Sequence, residues 1–193
     1  MQRAVFSGQT NRLFVGLVPD DEALDALARS VSTMRQEIWA RDVRWLPREN
    51  IHLTFRFLGD ADKEKYICLS AALVHHVGKI HEFTINLSQV LFLPSASKAS
   101  VVAVGVNPCS ELENLAAVVE KSVVSCGFEP EKRRFKAHIT VGRCRDMDLR
   151  GVNIGSNFHG INVPVCTVEL MKSNLSDSGA VYGILDTVTL LPY

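Results

Sequence analysis

The sequence of 193 residues lacks a long apolar run, an excess of charge and an obvious leader segment. No uninterrupted apolar stretch approaches the ~18 residues of a membrane-spanning helix, so we expect no membrane partner. Lys and Arg together number 21, as do Asp and Glu, and this balance argues against a histone-like, polybasic protein. The N-terminus has no apolar segment typical of a secretory signal, so we expect a cytoplasmic protein.

The cysteines, too, lack a pattern that implies disulfides or metal binding. They are five in number, without a Cys-x-x-Cys pair, at positions 68, 109, 126, 144 and 166. A chain of this length buries roughly 70% of its unfolded surface and needs no covalent staple. We therefore expect reduced cysteines, no metal site and no cofactor. A Gly-rich phosphate loop and a Ser nucleophile elbow are also absent from the sequence.

Apolar periodicity predicts an α+β protein. One helix follows a cap at Asp20 or Asp21, a second spans Asp62 to about Val77, and a third spans Ser110 to about Cys126. A hairpin signal lies at 176–179. Strands are predicted over 12–18, 51–58, 83–93, 101–106, 138–143, 163–173 and 180–190. No linker divides the chain, so we expect one domain over residues 1–193.

A weak internal repeat organises these elements into two lobes. Gly16-x-x-Pro19 ends one predicted strand and Gly105-x-x-Pro108 ends another, and each precedes a helix with acidic residues near its start. A His-x-Thr strand then follows in both cases, at residues 52–55 and 138–141. The repeated order predicts two similar, intertwined strand–helix–strand lobes.

The two His-x-Thr strands are the strongest functional signal in the sequence. Alternate side chains of a strand share a face, so His52 lies with Thr54 and His138 lies with Thr140. If the two lobes face each other, two imidazoles and two hydroxyls line one cleft. One histidine then accepts a proton and the other donates one near neutral pH, as cleavage of a phosphodiester requires. The alternative is that both histidines only bond to the backbone of a sheet.

Four further residues are weaker candidates for contact with the substrate. Arg143 has the wrong parity for the face of His138, but Gly142 permits a bulge that re-aims its side chain towards a phosphate. The alternative is a surface arginine at a strand end. Arg56 shares the parity of His52, and Phe14 and Tyr182 are aromatic candidates for stacking with a base. The basic run at 132–136 would steer a polyanion.

The segments 45–59 (WLPRENIHLTFRFLG) and 135–143 (FKAHITVGR) resemble those of the 2H phosphoesterase superfamily, and within it the RNA 2′,3′-cyclic phosphodiesterases, also described as 2′-5′ RNA ligases. The resemblance implies a bilobal fold in which two pseudo-symmetric antiparallel sheets flank a central cleft, with helices outside. It also implies metal-independent hydrolysis of 2′,3′-cyclic phosphates on RNA ends or nucleosides to 2′-phosphomonoesters. Ala137 is a departure, since many relatives have Pro there.

Carried over residue by residue, the resemblance gives each motif residue a role. His52 is the proton donor and His138 the proton acceptor, while Thr54, Thr140 and Arg143 hold the phosphate. We expect a monomer that acts on RNA 3′ ends or nucleoside cyclic phosphates without an obligate protein partner. The alternatives are a 2′,5′-phosphodiesterase or reversible 2′-5′ RNA ligase, which would use the same residues, and a non-catalytic nucleotide- or RNA-binding module.

Overall fold

The fold combines three α-helices with ten strands in a computed structural model that describes residues 2–6, 8, 10–152, 154, 158–176 and 179–193. The helices are α1 (Asp21–Met34), α2 (Lys63–Val77) and α3 (Ser110–Ser125). The strands are β1 (Gln2–Arg3), β2 (Thr10–Leu17), β3 (Arg44–Trp45), β4 (Leu53–Asp62), β5 (Phe83–Ser95), β6 (Lys98–Val106), β7 (His138–Met147), β8 (Asn162–Val165), β9 (Thr167–Ser176) and β10 (Gly179–Thr189).

The helices begin where the capping signals predict. The Asp20 carboxylate accepts a hydrogen bond from the Ala23 amide at 2.9 Å, and Asp62 accepts one from Lys65 at 2.8 Å. Each carboxylate satisfies an amide that has no partner within its helix. Gly127 follows α3 with φ of +78°, a left-handed conformation that ends the helix. No helix within the described ranges is long and apolar enough to cross a membrane.

The strands form two antiparallel halves that meet at one residue pair. The order is β1-β10-β9-β2-β4-β7-β6-β5-β8, and β3 pairs with β7 outside this path. Only β1 with β10 is a parallel pair among these named strands. Leu53 of β4 pairs with Ile139 of β7, and this contact joins the half that carries His52 to the half that carries His138. The predicted bilobal α+β architecture is therefore confirmed.

The strand predictions failed where the chain passes between the two halves. The single strand expected over 163–173 is two strands, because β8 pairs with β5 in one half and β9 pairs with β2 and β10 in the other. Strands β1 and β3 have two residues each, too short for an alternation pattern to indicate them. The expected hairpin at 176–179 joins β9 to β10, and residues 177 and 178 lie outside the described residues.

Two helices that are distant in sequence pack side by side on the first half of the sheet. Helices α2 and α3 contact each other and β4, and α2 also contacts β10. Their packing brings Cys68 and Cys126 together in a disulfide with a Cα–Cα distance of 5.7 Å. The expectation of five unpaired cysteines is therefore wrong, because a contact between residues 58 positions apart depends on tertiary packing. Cys109, Cys144 and Cys166 are free thiols.

Candidate active site

The two His-x-Thr motifs lie diagonally across the junction between the two halves. In two antiparallel strands, the residue before one paired residue lies opposite the residue after its partner. The Leu53–Ile139 pair therefore sets His52 opposite Thr140 and Thr54 opposite His138. Side chains directly opposite in an antiparallel pair share a face. The structure thus brings the two predicted histidines and the two threonines together on one face.

Both imidazoles are held by the same backbone contact. Nδ1 of His52 is 2.8 Å from the carbonyl oxygen of Asn50, and Nδ1 of His138 is 2.7 Å from that of Lys136. A carbonyl oxygen only accepts hydrogen bonds, so each Nδ1 carries the proton. Nε2 of a neutral ring then bears the lone pair. Among the described residues neither Nε2 has a hydrogen-bond partner, so both are available to a ligand. Backbone carbonyls leave no signal in the sequence, so these two contacts were not predicted.

A bulge turns Arg143 towards the face of the second motif. Thr140 pairs with Ala103, but Gly142 pairs with Val102 and Arg143 with Val101, so Val141 is an extra residue. Because Val101 and Ala103 share a face, Arg143 shares the face of Thr140. A Cβ on Gly142 would lie 2.6 Å from Val43 Cγ1, so the close approach of the neighbouring chain requires glycine at 142. The bulge predicted from Gly142 is present, one residue earlier.

An equivalent bulge in the first motif turns Arg56 away from the histidines. Thr54 pairs with Gly16 and Arg56 pairs with Val15, which leaves Phe55 as the extra residue. The parity that sequence alternation gives Arg56 is therefore reversed. Its guanidinium binds Glu120 at 2.9 Å and Glu131 at 3.3 Å, and the arginine side chain is only 14% exposed. The structure does not bring Arg56 into the cleft with the histidines.

Phe55 and Arg56 of β4 anchor the loop that precedes His138. Arg56 also donates to the carbonyl oxygen of Glu129, and Phe55 stacks on Phe135 with ring centroids 5.9 Å apart. This loop ends at Lys136, whose carbonyl oxygen fixes the His138 ring. Strand β4 thus carries the first motif on one face and supports the approach to the second motif on the other.

Aromatic rings enclose His52. The His52 centroid lies 4.9 Å from that of Phe14 and 5.0 Å from that of Tyr182, and Phe14 and Tyr182 meet at 5.1 Å. Phe14 is only 2% exposed, so it has no open face for a base. Phe57, which the sequence analysis missed, is 60% exposed and lies 5.9 Å from Phe14. Phe57 therefore offers the exposed aromatic surface in this cluster.

Burial and positive charge make His52 hard to protonate in the free protein. The residue is 8% exposed, and desolvation is the main cause that lowers the pKa of its imidazole from 6.5 to about 4. The bond to Asn50 opposes this shift, while the charges of Arg143 and His138 add to it. Since these charges act on His52, the three side chains share one electrostatic environment.

Two arginines of the basic run at 132–136 are paired with carboxylates. In the basic run, Arg133 pairs with Glu131 at 3.0 Å and Arg134 pairs with Glu113 at 3.8 Å, so both charges are partly neutralised. Within the part of the chain that the structure describes, no three His, Cys, Asp or Glu side chains converge in a way that could hold a metal ion. Metal independence of the activity stays a prediction.

The chain is similar in sequence to known phosphoesterases. Residues 17–103 match the family model described as LigT like Phosphoesterase. A protein named RNA 2′,3′-cyclic phosphodiesterase from Archaeoglobus fulgidus is 29% identical over 175 residues, covering 89% of this chain and 96% of that protein. One of the same name from Methanothermobacter thermautotrophicus is 25% identical over 190 residues, covering 93% and 98%.

Solved structures share the whole fold. The crystal structure of E. coli LigT in apo form matches with a TM-score of 0.80 at 23% identity, over 95% of this chain and 99% of that one. E. coli LigT complexed with 3′-AMP also matches with a TM-score of 0.80 at 23% identity, over 94% and 99%. The family model, the sequence relatives and this common architecture thus all show that the chain is similar to LigT-like phosphoesterases.

Proposed function

We propose that the protein hydrolyses 2′,3′-cyclic phosphates on RNA ends or nucleosides to 2′-phosphomonoesters, without a metal ion, by two-histidine acid–base catalysis. The observation that carries the proposal is the diagonal pair of His-x-Thr motifs, with both Nε2 atoms unpartnered among the described residues. The sequence relatives named RNA 2′,3′-cyclic phosphodiesterase support the choice of substrate. E. coli LigT with bound 3′-AMP supports a nucleotide ligand.

The geometry supports an in-line displacement at phosphorus. Nε2 of His138 takes a proton from water as the water oxygen forms a bond to phosphorus. The bond from phosphorus to the 3′ oxygen breaks, and that oxygen takes a proton from Nε2 of His52. The product is a 2′-phosphomonoester with a free 3′ hydroxyl. Each proton transfer typically contributes ~10²–10⁴ in rate, and solvent restores both histidines afterwards.

The phosphate oxygens have donors of the required chemistry on the same face. Thr54 and Thr140 each lie two residues after a histidine, on the same face of the strand. Arg143 supplies a planar guanidinium on that face. An arginine fork matches two phosphate oxygens at once. To raise kcat, it must bind the five-coordinate geometry more strongly than the substrate.

His52 can act as the acid only if substrate binding raises the pKa of its imidazole. A pKa of about 4 leaves the free imidazole neutral near pH 7. A bound cyclic phosphate carries a negative charge, offsets the effect of Arg143 and raises the pKa of His52. Binding of a 2′-nucleotide is therefore expected to take up a proton. Calorimetry in buffers of different ionisation enthalpy measures this uptake, and His52→Gln should abolish it.

The product decides between the candidate activities. We expect chelator-treated protein to convert a nucleoside 2′,3′-cyclic phosphate to the 2′-monophosphate only, as phosphorus NMR reports. His52→Ala and His138→Ala should each lose most activity, whereas His81→Ala should keep it, because His81 bonds to the Pro192 carbonyl outside the cleft. Formation of the 3′-monophosphate, or near-wild-type turnover in both motif variants, would refute the mechanism.

A separate experiment tests which histidine is the acid and which is the base. A substrate with sulfur in place of the 3′ bridging oxygen has a better leaving group and needs little acid catalysis. On this substrate we expect His52→Ala to recover much of its activity and His138→Ala to recover little. The reverse pattern would exchange the roles. A ligase or 2′,5′-phosphodiesterase would instead join or cleave 2′,5′-linked strands, as gel analysis of such strands would show.

A further inference from the structure

We propose that Arg44 binds the phosphate that links the terminal nucleotide to the rest of an RNA strand, and so favours RNA ends over free nucleotides. This proposal rests on the proposed function, since it presumes that the terminal phosphate occupies the site between the two histidines. It assigns a contact beyond the scissile phosphate to a residue outside both His-x-Thr motifs.

The sheet register places Arg44 beside Arg143. Strand β3 pairs with β7 so that Arg44 faces Arg143 and Trp45 faces Gly142. A Cβ on Gly142 would lie 3.3 Å from the Trp45 ring, so these two residues share the packed face. Arg44 and Arg143 therefore share the opposite face, which is the face of Thr140.

Neither guanidinium is neutralised by the protein. Arg44 and Arg143 form no salt bridge with any described residue, whereas Arg48, Arg56 and Arg150 each bind a carboxylate. Like charges directly opposite each other destabilise an antiparallel pair. An anion beside the two arginines would remove that repulsion. The juxtaposition thus indicates a ligand with negative charge at more than one position.

A groove lies beside Arg44, and it is lined in part by Asn50, whose carbonyl oxygen holds the His52 ring. It has a volume of about 280 Å³ and runs past Asn50 to Ala180 and Val181. The Asn50 side chain donates to the Ala180 carbonyl oxygen at 2.8 Å and ties the two sides of the groove together. The charge of Arg143 acts on His52, while Arg44 lies one strand further out. Arg44 is therefore placed for the next phosphate along the chain.

A second charged residue in the groove, of opposite sign, should change RNA binding in the opposite direction. Glu49 also lines this groove and is exposed. A carboxylate repels a phosphate, so Glu49→Gln should strengthen binding of a longer strand by about two- to threefold at low salt. Arg44→Gln should weaken it. Both side chains are exposed, so the two variants are expected to fold normally.

The experiment compares binding of a 2′-mononucleotide with binding of a trinucleotide that carries a terminal 2′-phosphate. Arg44→Gln should weaken the trinucleotide about tenfold, lower its salt dependence, and change the mononucleotide less than about twofold. Arg44→Lys should restore part of the loss. Lys79→Gln is the matched control, because Lys79 is an exposed cation just after α2 and does not line the groove.

Three outcomes would overturn the proposal. Equal weakening of both ligands would place Arg44 at the terminal phosphate. An equal loss in Lys79→Gln would show an effect of net charge alone, and an unchanged trinucleotide affinity would remove the contact. Because the experiment measures binding, its result does not depend on whether the protein hydrolyses the ligand. Failure of the proposed function would show separately, as absent hydrolysis of a cyclic phosphate by the wild-type protein.

Discussion

Phe57 and Arg143 occupy equivalent positions in the two lobes, each five residues after the histidine of its motif. Phe57 pairs with Phe14 and Thr54 with Gly16, so the bulge at Phe55 gives Phe57 the face of Thr54. The bulge at Val141 does the same for Arg143 and Thr140. One lobe therefore presents an exposed ring to the cleft and the other presents a cation. This asymmetry suits a nucleotide, which has a flat base and an anionic phosphate.

The exposed ring of Phe57 makes a prediction about the base. Phe57→Ala should raise KM for nucleoside 2′,3′-cyclic phosphates by about tenfold with a small change in kcat, because stacking of a base on an aromatic ring contributes about 1–3 kcal/mol to binding. Steady-state kinetics with a purine and a pyrimidine substrate measure the effect.

Phe57→Tyr is the matched control, since it keeps the aromatic face and should keep the wild-type KM. The substitution to Ala should also leave the thermal midpoint nearly unchanged, because the side chain is 60% exposed. A fall in kcat with constant KM would instead indicate that Phe57 acts through Phe14 on the orientation of His52.

Much of the fold and part of the site were predictable from the sequence because their signals are local. Capping by Asp20 and Asp62, and the shared face of each His-x-Thr pair, depend on neighbouring residues. The reversal of Arg56 and the exposure of Phe57 were not predictable, since a bulge depends on the register with a second strand. The pairing of Cys68 with Cys126 depends on helix packing and leaves no trace in spacing.

The buried imidazole of His52 predicts a loss of stability in acid. Its pKa is about 4 in the folded protein and 6.5 in the unfolded chain, so the unfolded chain binds the proton first as the pH falls. The contribution of His52 is complete above pH 6.5 and decreases towards pH 4, by a total of roughly 3 kcal/mol. The free energy of unfolding of the wild type should therefore fall through this window.

Denaturant titrations of the wild type and of His52→Gln at pH 7, 6, 5 and 4 check this expectation. His52→Gln has no imidazole at this site, so its free energy of unfolding should fall less steeply than that of the wild type. His81→Gln should show the wild-type slope, because the His81 side chain is exposed. Parallel curves for wild type and His52→Gln would show that burial of His52 carries no penalty for protonation.

The disulfide predicts a stability that depends on redox state. Cys68 and Cys126 are 58 positions apart, and closing a loop of that length stabilises the folded state by about 4 kcal/mol in the chain-entropy treatment. Reduction, or the double variant Cys68→Ser with Cys126→Ser, should lower the denaturation midpoint, whereas Cys109→Ser should not. An unchanged midpoint after reduction, with two additional titratable thiols, would contradict a stabilising bond.

The salt bridges of Arg56 predict an effect on the other lobe's histidine. Arg56→Met leaves the carboxylates of Glu120 and Glu131 without their shared partner, so the loop that ends at Lys136 loses its anchor. Misplacement of the Lys136 carbonyl then disorders the ring of His138. We expect kcat to fall about tenfold or more while KM changes little, because orientation of a catalytic group has effects of this size.

Arg133→Met is the control for this prediction, since Arg133 binds the same Glu131 from an exposed position and should leave kcat unchanged. Arg56→Lys should restore part of the rate, because it returns the charge without the two-pronged geometry. A rise in KM with constant kcat would instead make Arg56 a substrate contact, the role that strand alternation in the sequence gives it.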